Sequence, residues 1–296
     1  MATEAAYRTD KGGDLLLVCA TAEEMRASVA LLPGGPECDL SAWEQGVPLA
    51  RMGDRTSGRV PGKPEEQASV TTGPPLALPR LCLPGCGITL LVCGVGPVAS
   101  ALSLALAVGR ERVGSFRGVV NMGIAGSYDL DAAPVGSVVL VDREYFPEYG
   151  VWPECGENGG RPQPLRFAQA ILPAGPVFSC LALDAHNTLG KLGLSCHTFS
   201  RTGIGATLSG VSGTIGRADR IHALTGALIE NMEGFALALG AAALNLPFVQ
   251  VRSVSNRAGC RPPHTWNFDA AAHALSLAAQ DMFVPLSDHS ETRCRN

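Results

Sequence analysis

Short, continuous apolar runs alternate along this chain with segments of helical periodicity, and that alternation limits its fold more than any other feature. Residues 14–20, DLLLVCA, form the first run. TAEEMRASVALL follows at once, with apolar residues at helix spacing and Thr21 placed as an N-cap. The pattern resumes with ITLLVCG as strand, GPVASALSLALAV as helix, and RGVVNM and SVVLVD as strands. Beyond these, SCLALDAHNTLGKLG reads as helix, SCHTFSRTG as strand, TIGRADRIHALTG as helix and ALIENM as strand. EGFALALGAAALN then reads as helix, PFVQVRSVS as strand and FDAAAHALSLAAQDMF as a closing helix. Strands interleaved with helices predict one layered α/β domain around a largely parallel sheet. Two stretches break the rhythm, residues 33–84 and 147–164, whose Pro, Gly and charge content predicts irregular insertions.

Several classes of function are excluded early. A chain of 296 residues, 46% hydrophobic, has room for one large α/β domain or two small ones. Its formal net charge is -4 with no long basic run, so the electrostatic footprint of a nucleic-acid or anionic-membrane partner is missing. Small neutral or acidic ligands fit better. Ten cysteines are scattered, and several lie inside apolar runs, Cys19 and Cys93 among them, which fits buried thiols rather than a disulfide framework. Cys82 and Cys86 flank LPG, yet no second Cys/His pair follows at zinc-ligand spacing, so neither a metal nor another cofactor is expected. The N-terminal MATEAAYRTDKGGD has no apolar signal segment, and no apolar run approaches the roughly 20 residues of a membrane span. A cytoplasmic protein is the expectation.

In open α/β sheets, ligands gather beyond the carboxyl ends of the strands. Five such ends carry chemistry: Glu23 and Glu24 after the first strand, CGVGP (93–97), NMGIAGS (121–127), ENMEG (230–234) and RSVSN (252–256). Each has an ordinary structural explanation. Glu23 and Glu24 suit a helix N-terminus, the glycines suit tight packing, and Glu230 and Glu233 suit a helix cap. GVGPVA fails as a dinucleotide fingerprint, because Pro97 follows the second glycine and no acidic residue ends a following strand.

Taken together and in this order, CATAEEM, CGVGPVASA, VVNMGIAGS, IENMEGFALA and VQVRSVSN resemble the purine nucleoside phosphorylase and nucleosidase superfamily. MEGF, VRSVSN and the downstream WNFDAAA look most like its futalosine hydrolase family, nucleosidases of menaquinone biosynthesis. The resemblance implies a single-domain, three-layer α/β/α phosphorylase-like fold around a central mixed, largely parallel twisted sheet. That domain would span residues 1–296 with the two insertions. Homo-oligomers, usually dimers, are implied as well.

The same resemblance implies site roles. Glu24 matches the general base that takes a proton from the attacking water, and Glu23 beside it points about 100° away on a helix. Glu233 matches the acceptor of the ribose hydroxyls, with Met232 against the sugar, and Arg252 matches the residue that orients base and water. Cys93 stands where relatives carry Ser or Thr, and a thiol is a poor donor. Phosphorolysis needs cations for its phosphate, and the Gly-rich turns carry no Arg or Lys, so water is the expected nucleophile. Where adenine-cleaving relatives carry Asp this chain has Asn256, whose amide both donates to O6 and accepts from N7–H of a 6-oxopurine. At the 5′ end, Trp266 and Phe268 are the candidate apolar wall, and Arg257 or Arg261 the candidate cation. His222 and His273 fall in helices and read as structural. The competing expectations are a 6-oxopurine nucleoside phosphorylase, a methylthioadenosine/adenosylhomocysteine-type nucleosidase, and a silent ligand-binding relative.

Overall fold

The computed structural model describes residues 13–43, 78–83, 86–111, 114–151, 162–195, 197, 201–260, 262 and 265–284. DLLLVC builds β1 (Asp14–Cys19), whose residues from Leu15 onward are fully buried because helices cover both faces of the sheet. β1 lies parallel to β3 (Cys86–Val92) on one side and to β4 (Phe116–Ser127) on the other. β11 (Phe248–Arg257) adds parallel to β4, and β5 (Val138–Tyr145) adds antiparallel to β11. β9 (Arg201–Thr207) and then β10 (Ile229–Asn231) extend the sheet in parallel. The far end of β4 also pairs antiparallel with β10, so this half of the sheet curls back on itself.

The helices make the outer layers. α1 (Ala22–Val29), α3 (Ala185–Leu192) and α6 (Phe268–Phe283) share one core with Leu15, Leu17, Val249 and Val251. α2 (Pro97–Arg110) and α5 (Gly234–Ala243) cover the other face over Leu16, Val18 and Val119. α4 (Ile215–Thr225) packs on Leu208 and Ala206. Leu275, Met282 and Phe283 of α6 are fully buried, each contributing about 1.5–3 kcal/mol of apolar transfer, so the last helix is part of the core. The fold is the expected three-layer α/β/α arrangement around a mixed sheet.

Three local expectations change. The GIAGS stretch is not a turn but the second half of β4, because its glycines let neighbouring side chains lie flat against the strand. Within residues 33–84, expected to be irregular, β2 (Arg80–Leu83) pairs antiparallel with β3. Arg80 Nη2 donates to Asp14 Oδ1 at 2.7 Å, tying that edge to β1. Residues 179–193 are not one helix: β8 (Cys180–Ala182) pairs with β5, and Asp184, at φ 45°, turns the chain into α3. A hairpin of β6 (Ala170–Leu172) and β7 (Gly175–Val177) also had no periodic signal. Among the described residues no helix is long and apolar enough to cross a membrane, and no three His, Cys, Asp or Glu side chains are grouped as metal ligands.

Candidate active site

A cavity of about 540 Å³ opens at the carboxyl ends of β1, β4, β10 and β11, within the roughly 300–1,000 Å³ of small-molecule sites. Its walls bring together Glu24, Ile124, Gly126, Met232, Glu233, Asn256 and Trp266, which lie on five different segments of the chain. Sequence-distant motifs therefore meet in one place.

Glu24 is set by its helix. Thr21 is the N-cap of α1 and Glu24 its third residue, so Thr21 Oγ1 accepts from Glu24 N at 3.2 Å while Glu24 Oε2 accepts from Thr21 N at 3.1 Å and Ala20 N at 3.0 Å. This capping box turns the other carboxylate oxygen toward β4, where Oε1 accepts from Ile124 N at 2.9 Å. Glu23, one residue earlier, is exposed at the rim. Burial raises the proton affinity of the Glu24 carboxyl and the Glu233 charge raises it further, against the pull of Arg252 and of the backbone donors. A carboxyl with that bias, facing a cavity, is equipped to accept a proton.

Glu233 sits at the start of α5, where Oε1 accepts from Gly96 N at 3.1 Å, at the mouth of α2. Its Oε2 meets Arg252 Nη2 at 3.3 Å, and both side chains are almost wholly buried. Arg252 does not line the cavity; it lies behind the carboxylate and donates through Nη1 to Ile124 O at 3.4 Å. Arg252 thus reaches Glu24 through the backbone of Ile124, not by a direct bond. Gly123 makes this possible: a Cβ there would lie 2.5 Å from Arg252 Nη1 and 2.8 Å from Glu24 Oε1.

At the far wall, β11 carries a bulge between Val254 and Asn256, so Ser255 and Asn256 both face the cavity instead of alternating. Asn256 Oδ1 accepts from Ser255 Oγ at 2.8 Å and Nδ2 donates to Arg257 O at 2.8 Å. One N–H and one lone pair stay free for a ligand. Met232 is half-buried on the wall, and Trp266 and Phe268 line it with ring centroids 5.3 Å apart. Cys93 is a correction: its thiol is buried in the core with Val18 and Leu104, faces Gly94 O at 3.5 Å and is not on the cavity wall. Arg257 is exposed and also off the wall, and Arg261 lies outside the described residues.

A family model of the Phosphorylase superfamily matches residues 65–284. The chain belongs to the Phosphorylase superfamily. It is 34% identical over 196 residues to the futalosine hydrolase of Streptomyces coelicolor, covering 65% of this chain and 77% of that one. With the futalosine hydrolase of Thermus thermophilus it shares 30% identity over 202 residues, covering 68% and 84%. Among solved structures, the 5′-methylthioadenosine/S-adenosylhomocysteine nucleosidase of Colwellia psychrerythraea in complex with adenine superposes with a TM-score of 0.58 at 20% identity, covering 94% of this chain and 95% of that one. The nucleosidase resemblance of the motifs and the phosphorylase-like fold agree with these relatives.

One feature of this superfamily member had no signal in the motifs. Glu144 is fully buried beneath the cavity floor, where Oε1 accepts from Asn231 Nδ2 and Thr207 Oγ1, both at 2.7 Å, and Oε2 accepts from Gln250 Nε2 at 2.8 Å. Asn231 Oδ1 in turn accepts from Glu233 N at 3.1 Å and Gly234 N at 2.7 Å, so this network holds the start of α5 and hence Glu233. Burial pushes the Glu144 carboxyl up to about 7 from an ordinary 4.5, against these hydrogen bonds and the charge of Arg252. The folded chain therefore holds this proton more tightly than the unfolded chain. The resulting stabilisation is complete below about pH 4.5 and is lost as pH rises through about 7. It amounts to something on the order of 3 kcal/mol. Thermal unfolding across this range should show Glu144→Gln with a flatter dependence of Tm on pH than the native protein; parallel curves would remove Glu144 as a source of that dependence.

Proposed function

We propose that this protein hydrolyses the N-glycosidic bond of a 6-oxopurine nucleoside, with futalosine as substrate and hypoxanthine as the released base. The observation that carries this reading is the make-up of the wall: Glu24, Glu233 and Asn256 face one cavity, and no Lys or Arg is among its described lining residues. A phosphate nucleophile would enter beside two carboxylates without a cation to hold it, whereas water needs only a base.

Cleavage passes through a sugar of oxocarbenium character. Glu24 takes the proton of the attacking water. Glu233 accepts from the ribose hydroxyls and favours the cationic sugar, with Arg252 holding it from behind and Met232 packing on the ring. Asn256 receives N7–H of the departing base and donates to O6. Its surroundings favour an amide, because Nδ2 donates to Arg257 O at 2.8 Å and an ionised Asp would set two acceptors against each other. Asn256→Asp should therefore lower kcat/KM on futalosine by about 10-fold or more. An unchanged kcat/KM would remove Asn256 from base recognition.

The decisive assay offers futalosine, inosine and methylthioadenosine to the purified protein, each with and without phosphate, and follows the free base. Hypoxanthine released from futalosine without phosphate is the expected result. Release only with phosphate would make the protein a phosphorylase, and a preference for methylthioadenosine would make it a thioadenosine nucleosidase.

A further inference from the structure

Glu233 begins α5, yet its side chain makes no capping bond to the helix. The first N–H groups of a helix still need acceptors, because no carbonyl of the helix can reach them. Here the acceptors come from other elements. Asn231 Oδ1 accepts from Glu233 N and Gly234 N, and Thr207 Oγ1 of β9 accepts from Phe235 N at 2.7 Å. The Glu233 carboxylate is thereby left for Gly96 N, Arg252 and the cavity.

An amide can face either way and a hydroxyl hydrogen can rotate, so these acceptors need a group that fixes them. Glu144 is that group. An ionised carboxylate has no donor at either oxygen, so the amides around it must turn their nitrogens inward. Asn231 Nδ2 and Thr207 Oγ1 both donate to Glu144 Oε1, which turns Asn231 Oδ1 toward α5 and leaves the lone pairs of Thr207 for Phe235 N. Gln250 Nε2 donates to Glu144 Oε2, which turns Gln250 Oε1 toward Asn121 Nδ2 at 2.9 Å. The helix start closes on this cluster at Gly234, where a Cβ would lie 2.3 Å from Gln250 Oε1 and 2.9 Å from Asn231 Oδ1. An amide at position 144 could accept from Asn231 and Thr207, but its nitrogen would then oppose Gln250 Nε2, donor against donor. Packing alone would be served as well by groups that carry no desolvation cost of a buried charge. The charge is of use because it fixes three neighbouring orientations at once.

We propose that Glu144 is a positioning residue for the sugar half of the reaction, fixing through Asn231 and Thr207 where the Glu233 carboxylate stands against the ribose. The inference rests on the ribose role of Glu233 proposed above and adds the residue that sets it from beneath. Glu144 is off the cavity wall and acts only through the start of α5.

The experiment reads kcat/KM on futalosine and on its 2′-deoxy analogue at about pH 8, above the value of about 7 at which Glu144 takes up its proton. Native protein, Glu144→Gln and the double variant Glu144→Gln/Gln250→Glu are compared, and hypoxanthine binding is measured by calorimetry on the same preparations. Glu144→Gln should lower the preference for the riboside about 10-fold while hypoxanthine affinity stays close to native. The double variant should restore that preference. In it the amide oxygen at 144 accepts from Asn231 and Thr207, the amide nitrogen donates to the carboxylate at 250, and the other oxygen there accepts from Asn121 Nδ2. Lost stability scales both rates alike and leaves their ratio in place. If Glu144→Gln does not fold, Thr207→Val, which removes a hydroxyl and no charge, should lower the same ratio where Thr207→Ser does not. An unchanged ratio in the folded variant overturns the proposal, as does a lowered ratio that a folded double variant fails to restore. A native protein without preference for the riboside overturns the ribose role of Glu233, and this inference with it; a native preference beside unchanged variants overturns the role of Glu144 alone.

Discussion

Glu24→Ala is expected to lower turnover by about 10²–10⁴-fold while nucleoside binding stays close to native. The carboxylate lies on the cavity wall, its Oε2 occupied by the N-terminus of α1 and its Oε1 by Ile124 N, so it is oriented before any ligand arrives. Removing it deletes the base without deleting the Glu233 or Asn256 contacts, which is why affinity should survive. Loss of the capping box adds about 1 kcal/mol of destabilisation, readable separately as a lower Tm. Because burial and Glu233 raise the carboxyl above the ordinary 4.5, the acid limb of the native pH profile should inflect above that value, activity falling as Glu24 takes up its proton. Full activity in Glu24→Ala would mean that another group activates the water.

Glu233→Ala should have the largest effect on stability, about 3–5 kcal/mol, because it leaves the guanidinium of Arg252 buried without its counter-charge. The two side chains are 5% and 1% exposed, so water cannot replace the lost partner. Function should change in a distinguishable way. If Glu233 accepts from the ribose hydroxyls, the native protein favours a riboside over its 2′-deoxy analogue and the variant loses that preference. Denaturant unfolding measures the first effect and paired kcat/KM values the second. A variant as stable as the native protein would show that Arg252 finds another partner.

Glu23 and Glu24 are adjacent candidates in the sequence, and resemblance alone selects Glu24. The spacing Thr21-x-x-Glu24 held an independent local reason, since a capping box takes the residue three after the N-cap and leaves its predecessor outside. Cys93 went the other way. Its position after β3 marked it as a wall residue, but the strand's alternation puts its side chain in the core with Leu104.

Short-range pattern was enough to determine that β1, α1, β4, β11 and α6 exist, that they form an α/β sheet, and that the place to look for a cavity is just past the strand ends. Hydrophobic period and capping act over a few residues and are written locally. Only the tertiary structure decided what those ends do together. The pairing of Gly126 with both Glu230 and Asn256, the bulge that turns Ser255 and Asn256 to the same side, and the Glu144 network under Glu233 depend on register between strands far apart in the chain. Register is settled by how whole faces pack, because a one-residue slip would carry every side chain of a strand to the opposite face.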